Sequence, residues 1–118
     1  MKLNEYQREA QKTDRVPGRK NAHAGVDIIV PLLGLAGETG ELLSEYKKHL
    51  RDGSAHLLFK DRVAEELGDL LWYVANVASK FDLQLSEIAD ANLAKVKQRW
   101  ASERTEPLTF DAELPEGE

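Results

Sequence analysis

The residues best suited to do chemistry are four carboxylates set out as two spaced pairs, Glu38-Thr39-Gly40-Glu41 and Glu66-Leu67-Gly68-Asp69. On an α-helix a three-residue step leaves two side chains about 60° apart on one face and about 4.5 Å apart along the axis. Each pair can therefore aim both acids at one small volume. Glu45 lies one turn beyond Glu41 on the same side, and Tyr73 and Asn76 continue the stripe begun by Glu66 and Asp69. If the two helices are antiparallel neighbours, four or five carboxylates surround one spot, and their repulsion is costly unless cations occupy it. The chain has no cysteine, so thiolate sites are excluded. An all-oxygen ligand set suits hard Mg2+, or Mn2+ in its place, with coordination positions left for water and phosphate oxygens.

An isolated ExxE pair on a helix is ordinarily a solvated acidic face. Two features argue otherwise here. Both pairs lie inside the most apolar parts of their segments, LLGLAGETGELL and VAEELGDLLWYV, and glycines adjoin them at Gly34, Gly37, Gly40 and Gly68. Each glycine costs a helix interior roughly 1 kcal/mol relative to alanine. Close helix approach or room for a ligand would account for them.

The elements that must position these acids read as helices. Asn4 is expected to cap a first helix over about 5–13, with Gln7 in capping-box register. Residues 14–26 hold Pro17, Gly18 and Gly25 among polar residues and read as a loop. A second helix follows Asp27 to about Arg51, with Pro31 in its first turn and Asp52-Gly53 as its stop. Its apolar positions Leu32, Leu35, Ala36, Leu42, Leu43, Tyr46 and Leu50 recur at near-helical spacing. A third helix over about 57–80 carries a broad stripe, Val63, Leu67, Leu70, Leu71, Val74, Val77, Ala78 and Phe81, wide enough to imply burial between several helices. Ser86 is expected to cap a fourth helix to about Ala101, with Ile88, Ala91, Val96 and Trp100 on its apolar side. No alternating strand pattern, repeat or low-complexity segment occurs. The expectation is an all-α fold with a four-helix bundle-like core over residues 1–101, followed by an extended or disordered tail.

Charge sharpens that division. The net −5 lies in residues 102–118, where six acids face one base, Arg104, while residues 1–101 balance fifteen acids against fifteen bases. A neutral body with an acidic tail is a poor platform for duplex nucleic acid, though not for a single nucleotide held through metal. At 118 residues and 42% hydrophobic content the chain fits one domain with a core. No apolar run approaches a membrane span, and the opening MKLNEYQREAQ lacks a signal-peptide core, so a cytoplasmic protein is expected. His23, His49 and His56 show no metal-ligand spacing and read as loop or helix-end residues. No nucleophile arrangement or P-loop is present.

LGLAGETGELLSEYKKHL, then VAEELGDLLWYVANVA, then ANLAKVKQRW, resembles the MazG-like, all-α nucleoside triphosphate pyrophosphohydrolases, over roughly residues 27–101. The family signature is an ExxE pair, a gap and an ExxD pair; here 24 residues separate Glu41 from Glu66. The resemblance implies that Glu38, Glu41, Glu66 and Asp69 bind Mg2+, and that a nucleoside triphosphate is cut between its α and β phosphates. Glu38 or Glu41 would orient or deprotonate the attacking water. Asn92, Lys95 and Arg99 share one face of the fourth helix; by likeness Asn92 meets sugar or base, and Lys95 and Arg99 meet phosphate, the alternative being a solvated basic edge. Tyr73 resembles an aromatic near the family's nucleotide pocket, although core packing is the better account of at least one of Tyr73 and its neighbour Trp72. Lys47 and Lys48 either meet phosphate or interact with the helix end. A homodimer or dimer of dimers is implied, acting in nucleotide-pool cleansing. Two other classes stay open: a non-enzymatic helical interaction module, and a related helical hydrolase acting on phosphoribosyl-ATP.

Overall fold

The computed structural model of the chain describes residues 1–15, 26–53 and 58–101. The expected acidic tail, the loop after Arg15, His23 and His56 lie outside the described residues. Among the described residues four helices appear in order: α1 (Leu3–Gln11), α2 (Val26–Asp52), α3 (Phe59–Lys80) and α4 (Leu85–Ala101). No strand occurs among the described residues.

Local chemistry explains most of the boundaries. Gly53 takes the left-handed φ of +54° that halts α2 at Asp52. α3 ends in a Schellman turn: Leu83 N–H bonds Ala78 O at 2.8 Å and Asp82 N–H bonds Ser79 O at 3.1 Å. Asp82 supplies the left-handed residue at φ +56°, a place usually given to glycine. α2 begins earlier than the sequence suggests, at Val26, so Pro31 stands in its second turn rather than its first. There the proline removes a hydrogen bond to the carbonyl of Asp27; its ring is buried in exchange.

The expected caps of α1 and α4 are corrected. α1 starts after Lys2, whose N–H bonds the Glu5 carboxylate at 3.4 Å. Asn4 and Gln7 lie inside α1 and cap α4 instead. Gln7 Oε1 accepts from Leu85 N–H at 2.8 Å, and Asn4 Oδ1 accepts from Ser86 N–H at 3.0 Å. Gln7 Nε2 also donates to Leu83 O at 2.8 Å and to Ser79 Oγ at 2.9 Å. Ser86, expected as the cap, is itself in the first turn. The first N–H groups of α4, which have no partner within the helix, are thus met by another helix.

These contacts set α1 antiparallel to α3. α2 and α3 form the largest interface, also antiparallel, with Gly34 against Tyr73 and His49 stacked on Phe59 at 4.1 Å. The core is thin. Its buried apolar residues are Ala10, Ala75, Ala78 and Leu85, and no large side chain is fully buried among the described residues. Leu33 and Leu43 on α2, and Leu67, Leu71 and Val74 on α3, are exposed. Every residue from Asp90 to Trp100 on α4 is exposed, including Val96 and Trp100 of the expected core face. Four helices are therefore present, but one chain does not close them into a four-helix bundle, because α4 is fastened to α1 at its start and buries no face beyond it.

Candidate functional site

The antiparallel pairing of α2 with α3 brings the middle of one to the middle of the other. One carboxylate oxygen each from Glu38, Glu66 and Asp69 lies within 4.8 Å of the others. Glu38 and Glu66 are half-buried and Asp69 is exposed. Glu41, the fourth expected member, is exposed and falls outside this close group, yet its charge still acts on Glu66. Glu45 does not contribute: it is 6% exposed and pairs with Lys48 at 3.3 Å. That contact gives Lys48 a carboxylate partner on its own helix rather than the helix-end interaction considered for it.

The electrostatics of the cluster are those of a charge deficit. The Glu66 carboxyl is pushed up to about 7, first by its hydrogen bond with Glu38, then by burial and by the charges of Glu38, Asp69 and Glu41. A retained proton offsets repulsion among the carboxylates. Glu66 Oε2 is buried and has no hydrogen-bond partner. Hard oxygen donors, a raised carboxyl and an unpaired oxygen fit a divalent cation, which Glu38, Glu66 and Asp69 could hold.

Tyr6, which sequence reasoning did not single out, belongs to the same electrostatic neighbourhood. Its phenol is raised by burial and by the charge of Asp69. No local pattern signals this, since the contact depends on how α1 crosses α3. Tyr73 is half-buried, one turn beyond Asp69, and lies edge-on to Trp72 with ring centres 5.0 Å apart. Trp72 Nε1 donates to Thr13 Oγ1 at 2.9 Å. A Cβ at Gly34 would collide with the Tyr73 ring, 2.8 Å from its oxygen, whereas Gly37, Gly40 and Gly68 have nothing within 4 Å of that position. Close approach within the chain thus accounts for one of the four helical glycines.

Asn92, Lys95 and Arg99 are exposed on α4, and none has a hydrogen bond or ion pair among the described residues. Among the described residues α4 packs on α1 and forms no comparable interface with α2, so the single chain does not gather these side chains onto the carboxylates. His49 stacks on Phe59 and joins no acidic cluster, in keeping with a helix-end residue.

With this geometry in view, comparison with known proteins is decisive at the level of family. The model of the MazG nucleotide pyrophosphohydrolase domain matches residues 30–102. The chain belongs to the MazG nucleotide pyrophosphohydrolase family. The match takes in α2 from Val30 onward and all of α3 and α4, and with them all three groups of residues that carried the resemblance. The chain is also similar to the Gene 37 protein of Mycobacterium phage L5, 35% identical over 101 residues that cover 84% of this chain and 89% of that protein. No solved structure matches. The acidic cluster falls within the matched residues and could hold a metal ion, and no helix among the described residues is long and apolar enough to cross a membrane.

Proposed function

We propose that the chain hydrolyses a canonical or modified (deoxy)nucleoside triphosphate at the α–β phosphate bond, releasing a nucleoside monophosphate and pyrophosphate, with Mg2+ or Mn2+ held by Glu38, Glu41, Glu66 and Asp69. The observation that carries this reading is the convergence of three carboxylates whose mutual repulsion is relieved only by a retained proton. A bound divalent cation would neutralise phosphate charge and lower the pKa of water. The protein's own groups divide the remaining work. Glu38, Glu66 and Asp69 form the close ligand group, and Glu41, exposed beside them, is the better placed of the two α2 glutamates to orient the attacking water and accept its proton. Asn92, Lys95 and Arg99 would serve sugar and phosphates once α4 is packed against a second copy, which its uncovered Leu93, Val96 and Trp100 support. A homodimer or dimer of dimers in the cytoplasm, cleansing the nucleotide pool, completes the proposal.

A panel of ribo- and deoxynucleoside triphosphates, assayed for pyrophosphate release with Mg2+, tests it. The expected result is metal-dependent release of pyrophosphate and monophosphate, with a melting temperature raised by Mg2+ or Mn2+. No shift at millimolar metal and no turnover would move the chain to the class of helical interaction modules. Turnover of phosphoribosyl-ATP alone would place it with the related hydrolases.

A further inference from the structure

Beside the carboxylates, a separate cavity of about 190 Å³ opens between the end of α1, the start of α2 and the second half of α3. Trp72, Tyr73 and Pro31 give it aromatic and apolar walls, and Asn76 and the pair Asp14–Lys80 line it as well. Lys80 Nζ meets Asp14 Oδ2 at 3.0 Å, with both side chains under a tenth exposed. Asn76 is 2% exposed, and its Oδ1 is shielded from water without accepting any hydrogen bond. Buried amide oxygens are nearly always paired, so an unpaired one on a cavity wall calls for a donor that arrives with a ligand.

We infer that this cavity receives the nucleobase of the substrate and that Asn76 determines base selectivity by hydrogen-bonding the base's polar edge. The inference rests on the nucleotide-hydrolase reading above. Position supports it: Asn76 lies seven residues beyond Asp69 on α3, about 10 Å along the axis, so a ligand with its phosphates at the carboxylates extends toward the cavity through its sugar. The lining supports it too. Flat aromatic walls suit a planar ring, and of the two cations on the lining, Arg15 and Lys80, the buried one, Lys80, is paired with Asp14. An amide carries a donor and an acceptor side by side and turns easily about its last torsion, so it can match the paired donor and acceptor of a base edge. The glutamates cannot do this reading, because they face the phosphates.

The test combines two readouts. In the full-length Trp100→Phe protein, Trp72 is the one tryptophan left. Its fluorescence should change on adding the nucleoside monophosphate product of the best substrate and stay unchanged with ribose 5-phosphate. In the triphosphate panel, Asn76→Ala and the isosteric Asn76→Asp should lower kcat/KM for the preferred base by about 10- to 100-fold and for the poorest base by less than about 3-fold, flattening or reordering the ranking. The fluorescence arm keeps the inference testable should either substitution at this buried site unfold the chain. An active enzyme whose base ranking survives Asn76→Asp, or whose Trp72 ignores the base, overturns the inference and leaves the hydrolase reading intact. Base-dependent fluorescence without any turnover does the reverse.

Discussion

The two faces of α3 treat their polar groups in opposite ways. On the side packed against α1, Gln7 is buried with its acceptor and donor both engaged, and it ties α3 to the start of α4 through hydrogen bonds of 2.8–2.9 Å. Elsewhere on α3, Glu66 Oε2 and, ten residues further on, Asn76 Oδ1 are buried without partners, and the Glu66 carboxyl is pushed up to about 7. Burying polar groups without partners is unfavourable wherever it happens. At the α1 contact Gln7 is fully engaged, with Gln11 Nε2 the one buried group there that lacks a partner among the described residues, whereas the acids combine an unpaired oxygen with crowded like charge, and that difference separates a structural joint from a site that awaits ligands. The contrast can be broken by substitutions on either side.

The largest effect belongs to the open side. Asp69→Ala or Glu66→Gln should lower turnover by at least about 10³-fold while far-UV circular dichroism stays near wild type, because neither side chain holds the helices together. Turnover within tenfold of wild type in both variants would remove the cluster from the chemistry. At the closed side the sign of the outcome is reversed: Gln7→Ala strands the Leu85 N–H and the Leu83 carbonyl, and should cost about 2–3 kcal/mol in urea unfolding. Asn4→Ala, which removes a less buried cap, should cost about 1 kcal/mol. A Gln7→Ala protein as stable as wild type would mean that α4 is held by something other than α1.

Glycines offer a smaller and sharper comparison. Gly34→Ala forces the Tyr73 ring to move, and the strain, about 1–3 kcal/mol, should outweigh the roughly 1 kcal/mol that alanine adds to a helix. Gly37→Ala meets nothing in the chain and should raise stability by about 1 kcal/mol. Thermal melts of both variants, run beside activity assays, separate two uses of glycine. If Gly37→Ala gains stability yet loses turnover, the open space over it is occupied in the working enzyme by substrate or by a second copy.

How far each region could be read from sequence follows from the same contrast. The four helices were legible because apolar spacing is a local property, and the Glu38/Glu41 and Glu66/Asp69 pairs were legible because helix geometry fixes what a three-residue step does. The stop at Asp52-Gly53 was legible for a similar reason. The cap supplied by Asn4 and Gln7 was not: it joins residues about 80 apart, and as a local signal Asn4 points to the start of its own helix. Tyr6 near Asp69 and Asp82 in the left-handed region carry no signature of their own. The division among the five acids was beyond sequence as well, since the same helical spacing that lets Glu45 share a side with Glu41 also lets it pair with Lys48, and only the fold shows Glu38, Glu66 and Asp69 as the close group. The apolar stripe of α4 was legible, but not that one chain leaves it uncovered.

The smallest expected effect is the pH dependence of the open side, because Glu66 is only half-buried. Without metal, the folded chain holds the Glu66 proton up to about 7, whereas the unfolded chain releases it near the ordinary value of 4.5. Between those limits the native state binds more protons than the unfolded state, so stability falls as pH rises from 4.5 to about 7. The contribution is fully present below 4.5 and lost above about 7. A cation reverses the trend, since it competes with that proton for the same oxygens and binds better as the proton leaves. Melting curves at pH 5.5 and 7.5, with and without Mn2+, should show the metal-free protein less stable at the higher pH and the metal-induced rise larger there. Glu66→Gln, which cannot release a proton, should flatten the metal-free slope and shrink the metal response. If the wild-type slope survives in Glu66→Gln, the proton is held elsewhere, and the difference between the two faces of α3 would then have to rest on the unpaired oxygens alone.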